Sequence, residues 1–239
     1  QVPIFCLNQA KIAYYNPFAY TYSMPPAPSL KPEKARFIGN ASVLSFLNKA
    51  WETGRLTHAY LFVGPDHVGK MTAARTLAGK IMATQNSIDQ HPDFTLIERG
   101  CDAKTGKLHS AIVLDQIHAA RGRMAMSAFM GGWKICIIDC AHLLNTAAAN
   151  ALLKSLEEPH PKTLFKLVSN SANRVMPTIR SRCQIISFAR SPRAEIANAL
   201  AKRGTAEDKA ELFASLSAGC PGRAINYAEN HGVFADLVT

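Results

Sequence analysis

Apolar positions recur along this chain in two rhythms. Val43, Leu44, Leu47, Ala50 and Trp51 fall at helical spacing, with Asn40 placed as an N-cap and Gly54 as a stop. Ala59–Val63 reads AYLFV, a short unbroken apolar run that is too brief for a helix and rich in β-formers. It predicts a strand buried on both faces. The alternation then repeats. Ala73, Leu77, Ala78 and Ile81 form a helix face, and Phe94–Ile97 a strand. Ile112, Ile117 and Ala120 open a helix expected to run toward Met130, where glycines 131 and 132 break it. Trp133–Asp139 is a further strand. Leu144, Ala148, Leu152 and Leu156 repeat at i+4 behind a cap at Asn145 or Thr146, and Pro159 and Pro161 end that helix. Leu164–Val168 and Ile185–Phe188 complete the strands.

Strands separated by helices predict an α/β fold with a five-stranded parallel sheet and right-handed crossovers. Beyond Pro192 the pattern is helical only, over about 192–203, 205–217 and 221–237. The expected organisation is a leader over 1–34, an α/β core over 35–190 and a three-helix unit over 191–239. The leader is rich in Tyr and Pro and has no sustained period. Met24 is its first methionine and is followed by Pro25, Pro26 and Pro28, so residues 1–23 are expected to be a disordered arm or an overrun of the true start.

Composition narrows the class. The chain has 239 residues, 48% of them hydrophobic, enough for one or two domains with a sizeable core. Its net charge of +10 suits a polyanionic partner, nucleic acid or an acidic protein, or simply a basic soluble protein. No basic patch interleaved with aromatics and no helix-turn-helix pattern supports a stand-alone nucleic-acid-binding module. The six cysteines form no C-x-x-C pair. Cys136 and Cys140, on one predicted strand, would stand about 13 Å apart. We therefore expect no zinc, no disulfide framework and a reducing, cytoplasmic setting. No run of eighteen apolar residues occurs, so no membrane span is expected.

Three places carry chemistry. GPDHVGK, Gly64–Lys70, matches G-x-x-x-x-G-K between a strand and a helix. Gly64 and Gly69 let backbone N–H groups turn around phosphate oxygens, the helix start aims its positive end there, and Lys70 reaches the outer phosphates. The next residue should carry a hydroxyl for Mg²⁺. Here it is Met71, a thioether, and Thr72 lies about 100° further around the helix. Asp139 ends its strand, where ligands of open α/β sheets bind. Its neighbour, where a glutamate would polarise the attacking water, is Cys140. His142 reads first as a polar residue at a helix entry. Arg182, in TIRSRC, is a permanent forked cation suited to a γ-phosphate, in its own site or a neighbour's. A surface ion pair is its plainer reading. Arg223, in GCPGRA, opens the last helix and is either a cleft residue or a solvated helix start.

On these residues the chain resembles the clamp-loader AAA+ proteins, and within them the delta prime subunits of bacterial DNA polymerase III. HAYLFVGPDHVGK, HPDF, IVLDQI, GGWKICIID, NTAAANALLKSLEEP and TIRSRC carry the resemblance, which extends over roughly residues 36–230. It implies a P-loop AAA+ core with a helical lid and a stator role in a ring that loads a sliding clamp onto primed DNA. It implies gamma/tau and delta subunits as partners, with Arg182 as a finger reaching a neighbour's ATP. Asn170 and Arg223 fall at the two sensor positions, and Lys70 and Asp139 at the Walker pair. Met71 and Cys140 imply that ATP is held weakly or not at all, without Mg²⁺-assisted hydrolysis. The alternative is an active AAA+ ATPase, a motor subunit or a remodelling protein. IMATQNSIDQ stands where many members carry a four-cysteine zinc module, and a collar domain usually follows the lid, so a sequence ending at Thr239 is expected to be either truncated or dependent on its partners for assembly.

Overall fold

The computed structural model describes residues 37–84, 87–101, 108–130 and 132–229. The leader expected over 1–34, and the end of the last expected helix, lie outside these residues. Five parallel strands form one sheet: β1 (Ala59–Val63), β2 (Phe94–Ile97), β3 (Lys134–Ile138), β4 (Thr163–Ser169) and β5 (Gln184–Ser187), in the order β2-β3-β4-β1-β5. Helices α1 (Ala41–Glu52) and α2 (Lys70–Met82) cover one face, and α3 (Leu114–Ala125) and α4 (Thr146–Glu157) the other.

Every residue of β1, β3 and β4 is buried, which is why their sequences show apolar runs rather than alternation. The period of two is still present in the packing. Tyr60, Phe62, Ile135, Ile137, Leu164 and Val168 meet Ala73, Ala74 and Leu77 of α2. Leu61, Cys136, Ile138, Phe165 and Leu167 meet Ile117, Leu152 and Leu156 of α3 and α4. Each leucine buried to this degree contributes about 1.5–3 kcal/mol. One residue breaks the pattern. Lys166 of β4 is fully buried on the α2 face, where its ammonium donates to Ala74 O at 2.8 Å.

The caps show where tertiary contacts override the sequence pattern. Asn145 caps α4 as expected, its Oδ1 accepting from Ala148 N at 2.8 Å. Asn40 precedes α1 but makes no side-chain cap. It is held at φ 49° while its amide exchanges hydrogen bonds with Ala189 N and O, tying α1 to the strand edge. The helix expected to reach Met130 stops at Ala125. The Lys134 ammonium donates to Arg123 O and Met126 O, and the buried Asp93 carboxylate accepts from the N–H groups of Phe129 and Met130 at 2.7 and 3.0 Å. These contacts turn the chain out of the helix before the glycines. Phe129 and Met130 are left exposed.

After α5 (Pro177–Arg180) and β5 come three short helices, α6 (Arg193–Ala201), α7 (Glu207–Leu216) and α8 (Pro221–Glu229). They share a small core of Ile196, Leu200, Phe213 and Ala224, into which Ile38 also packs. Two backbone hydrogen bonds place this unit over the sheet. Ser191 N donates to Gly219 O, and Gly222 N donates to His67 O, both at 2.8 Å. The start of α8 is thereby seated on the loop that follows β1. Among the described residues no helix is long and apolar enough to cross a membrane.

Candidate nucleotide cleft and a presented arginine

The loop Gly64–Gly69 leaves β1, an inner strand of the sheet, and enters α2 at Lys70, so it lies at the carboxyl edge of the sheet. Gly64 at φ 149° and Gly69 at φ 95° take conformations that side chains rarely adopt. A Cβ on Gly64 would come within 2.3 Å of Phe188 O, and one on Gly69 within 2.8 Å of the Phe37 ring. Both glycines are therefore required by the turn and by close neighbours. His67 also sits at positive φ, 65°. The Lys70 ammonium is nearly buried. It donates to Gly64 O and Pro65 O at 2.6 Å each and stands 3.7 Å from Asp66. Burial lowers its pKa, while Asp66 and then Asp139 oppose the shift.

The turned backbone and the helix start fit a phosphate. The position that would offer Mg²⁺ a hydroxyl carries none. Met71 packs its side chain against the apolar layer between α2 and the sheet, and Thr72 is exposed. No hydrolytic step through a metal on this chain follows from these residues.

Asp139 stands one residue past the end of β3. Its N–H donates to Ile97 O at 2.8 Å, and its Oδ1 accepts from Cys140 N at 2.8 Å. Cys140 lies outside the strand, at φ 51°, so the expectation that it shares a strand with Cys136 is corrected: the chain turns at Cys140. Burial, and then the Asp139 charge, push the Cys140 thiol up to about 11. It stays protonated at neutral pH and cannot take a proton from water.

Asp139 lies close enough to Lys70, Cys140 and His142 for its charge to act on the ionisation of all three. His142 Nδ1 lies 3.3 Å from Ser169 Oγ, whose own proton goes to Ser171 O at 2.8 Å. This assigns the imidazole proton to Nδ1. Burial, followed by Arg174, lowers the His142 pKa. Asn170 follows β4, and its Oδ1 accepts from Arg174 at 3.5 Å. Arg223 lies in the first turn of α8, next to Gly222 and its bond to the phosphate-type loop.

Arg182 belongs to a different neighbourhood. It follows α5, anchored by Arg182 N to Ile179 O at 3.0 Å and by the partly buried Cys183 packed into the core. Its guanidinium donates to Thr178 O at 2.8 Å and Ser181 Oγ at 3.3 Å, and pairs with Glu157 at 2.5 Å. Arg180 turns elsewhere, to Asn173 Oδ1 at 3.1 Å. The structure therefore groups Lys70 with Asp139 and leaves Arg182 apart from them, at the end of α4.

Two acids escaped the sequence reading. Glu98 follows β2 directly beside Asp139, and burial and then Asp139 raise its pKa. The rule that selected Asp139, an acid at the carboxyl end of a parallel strand, also selects Glu98. Glu157 ends α4, where the helix dipole disfavours a carboxylate, and that misfit was its signal.

Five parallel strands in this order, a glycine-bounded loop entering α2 and a following helical unit define a P-loop protein of the AAA+ type. The model of the family described as DNA polymerase III, delta subunit, matches residues 39–192. The chain belongs to that family, among the clamp-loader proteins. It is 33% identical over 141 residues to the DNA polymerase III subunit delta' of Pseudomonas aeruginosa, covering 53% of this chain and 41% of that one. It is 30% identical over 202 residues to the DNA polymerase III subunit gamma/tau of Mycobacterium tuberculosis, covering 77% of this chain and 34% of that one. The chain thus spans less than half the length of these relatives. A RuvB Holliday junction branch migration motor from Thermotoga maritima shares the fold, with a TM-score of 0.60 at 20% identity over 87% of this chain and 67% of that one.

Proposed function

We propose that this chain is a delta prime-like stator of a bacterial clamp loader, contributing Arg182 to the ATP site of a neighbouring motor subunit. One observation carries the reading: a single chain combines a cleft lacking its hydrolytic groups with an arginine set out near the surface. In the cleft, Met71 offers no hydroxyl and Cys140 holds its proton. Arg182 is 34% exposed and lies away from that cleft, on a backbone fixed by α5 and by Cys183.

The chemistry follows from charge. ATP bound to a neighbour supplies a γ-phosphate that gains negative charge on its equatorial oxygens as it transfers. A guanidinium held at the interface stabilises that charge without gaining or losing a proton. The partners are gamma/tau-type motors and a delta-type subunit, with the sliding clamp and primed DNA engaged through the complex. The +10 charge agrees with a polyanionic partner.

Glu98 beside Asp139 favours the second reading, an ATPase in its own right, because it brings a carboxylate to the cleft that Cys140 does not supply. ATP turnover by the isolated chain separates the two. The stator reading expects no Mg²⁺-dependent turnover above background. Robust turnover that Lys70→Ala abolishes would overturn it.

A further inference from the structure

We propose that Glu157 is a positioning residue for Arg182, fixing the guanidinium before a neighbour's phosphate arrives. The proposal rests on the finger role given above. Glu157 is the last residue of α4, followed by Glu158 and the helix-stopping Pro159. A carboxylate there faces the negative end of the helix, so its position does not serve the helix itself. What it serves is visible in the contacts. Two anchors to Arg182, Thr178 O and Ser181 Oγ, belong to its own turn and are made by one terminal nitrogen. Glu157 is the contact from another element, and it holds the other terminal nitrogen at 2.5 Å. Together they fix both ends of the guanidinium plane. Of the five N–H donors of the group, three are engaged in these contacts and two remain for a phosphate.

The pair is half exposed, with Arg182 at 34% and Glu157 at 47%. An ion pair so placed adds little to folding stability. Its value lies in pre-organisation, since a long side chain already held in place loses less freedom when it meets its target. Arg180 lacks such a partner from α4 and points to Asn173 instead, so the arrangement is particular to Arg182.

The test uses the complex reconstituted with the chain's own motor and delta-type subunits. Steady-state kcat and KM for ATP are measured for wild type, Glu157→Gln, Arg182→Ala and the double variant. We expect Glu157→Gln to lower kcat about 3- to 10-fold, the loss that one unordered side chain produces. KM and the thermal midpoint should be unchanged, and the substitution should add nothing in the Arg182→Ala background. A kcat that is unchanged or raised by Glu157→Gln, while Arg182→Ala still lowers it, would overturn the positioning role alone. So would an equal loss from Glu157→Gln with and without Arg182. If Arg182→Ala has no effect, the finger role fails and this inference fails with it.

Discussion

Lys166→Met should stabilise the fold at neutral pH. Lys166 is fully enclosed in the sheet, its ammonium donates only to Ala74 O among the described residues, and burial drives its pKa well below the ordinary lysine value. The unfolded chain carries this lysine charged, with a pKa near 10.4. The folded chain must either keep the charge out of water or release the proton. Release at pH 7 sets a ceiling of about 4–5 kcal/mol on the cost. The bond to Ala74 O recovers part of that, and a methionine fills nearly the same volume at a packing cost under about 1.5 kcal/mol. The net expected gain is about 1–3 kcal/mol, or several degrees in Tm for a chain of this size. The sign with pH follows from proton counts. Between the lowered folded pKa and about 10.4 the unfolded state binds more protons, so wild-type stability rises with pH, by up to about 1.4 kcal/mol per unit. The methionine variant lacks this slope. Urea unfolding at pH 7, 8 and 9 should show the advantage of Lys166→Met narrowing as pH rises. A variant less stable than wild type at pH 7, or an advantage that does not change with pH, would refute the reasoning.

Cys140 should alkylate slowly at pH 8 and speed up toward its pKa of about 11. Asp139→Asn removes a charge that raises that pKa, so the rate profile should move to lower pH, as followed by mass spectrometry of the modified peptide; an unmoved profile would count against the coupling. Asn145→Ala removes the α4 cap and should cost about 1 kcal/mol in equilibrium unfolding, with no change in the denaturant slope.

Much of the fold was legible, for a physical reason. Strands buried on both faces give short apolar runs, and Gly64, Asn145 and Pro159 punctuate them by local backbone chemistry. What the sequence did not show came from contacts distant along the chain. Asn40 caps nothing because Ala189 claims its amide, and α3 ends early because Lys134 and Asp93 take its last carbonyls and the following N–H groups. The cleft divides in the same way. Lys70 and Asp139 were found because a motif and a strand end announce them. Glu98 was missed because only strand pairing puts it beside Asp139, and Glu157 because only the packing of α4 on α5 brings it to Arg182. Lys166 sat inside a run read as apolar, where one charge does not disturb the pattern.

As the proposed stator, this chain assists hydrolysis on a neighbour rather than performing its own. The measurement that meets this role most directly is ATP turnover by the reconstituted complex carrying either Arg182→Ala or Lys70→Ala in this subunit. Arg182→Ala should lower turnover on the order of 10³-fold at the affected site, and Lys70→Ala should leave turnover unchanged. Turnover that survives Arg182→Ala but collapses with Lys70→Ala would contradict the stator role.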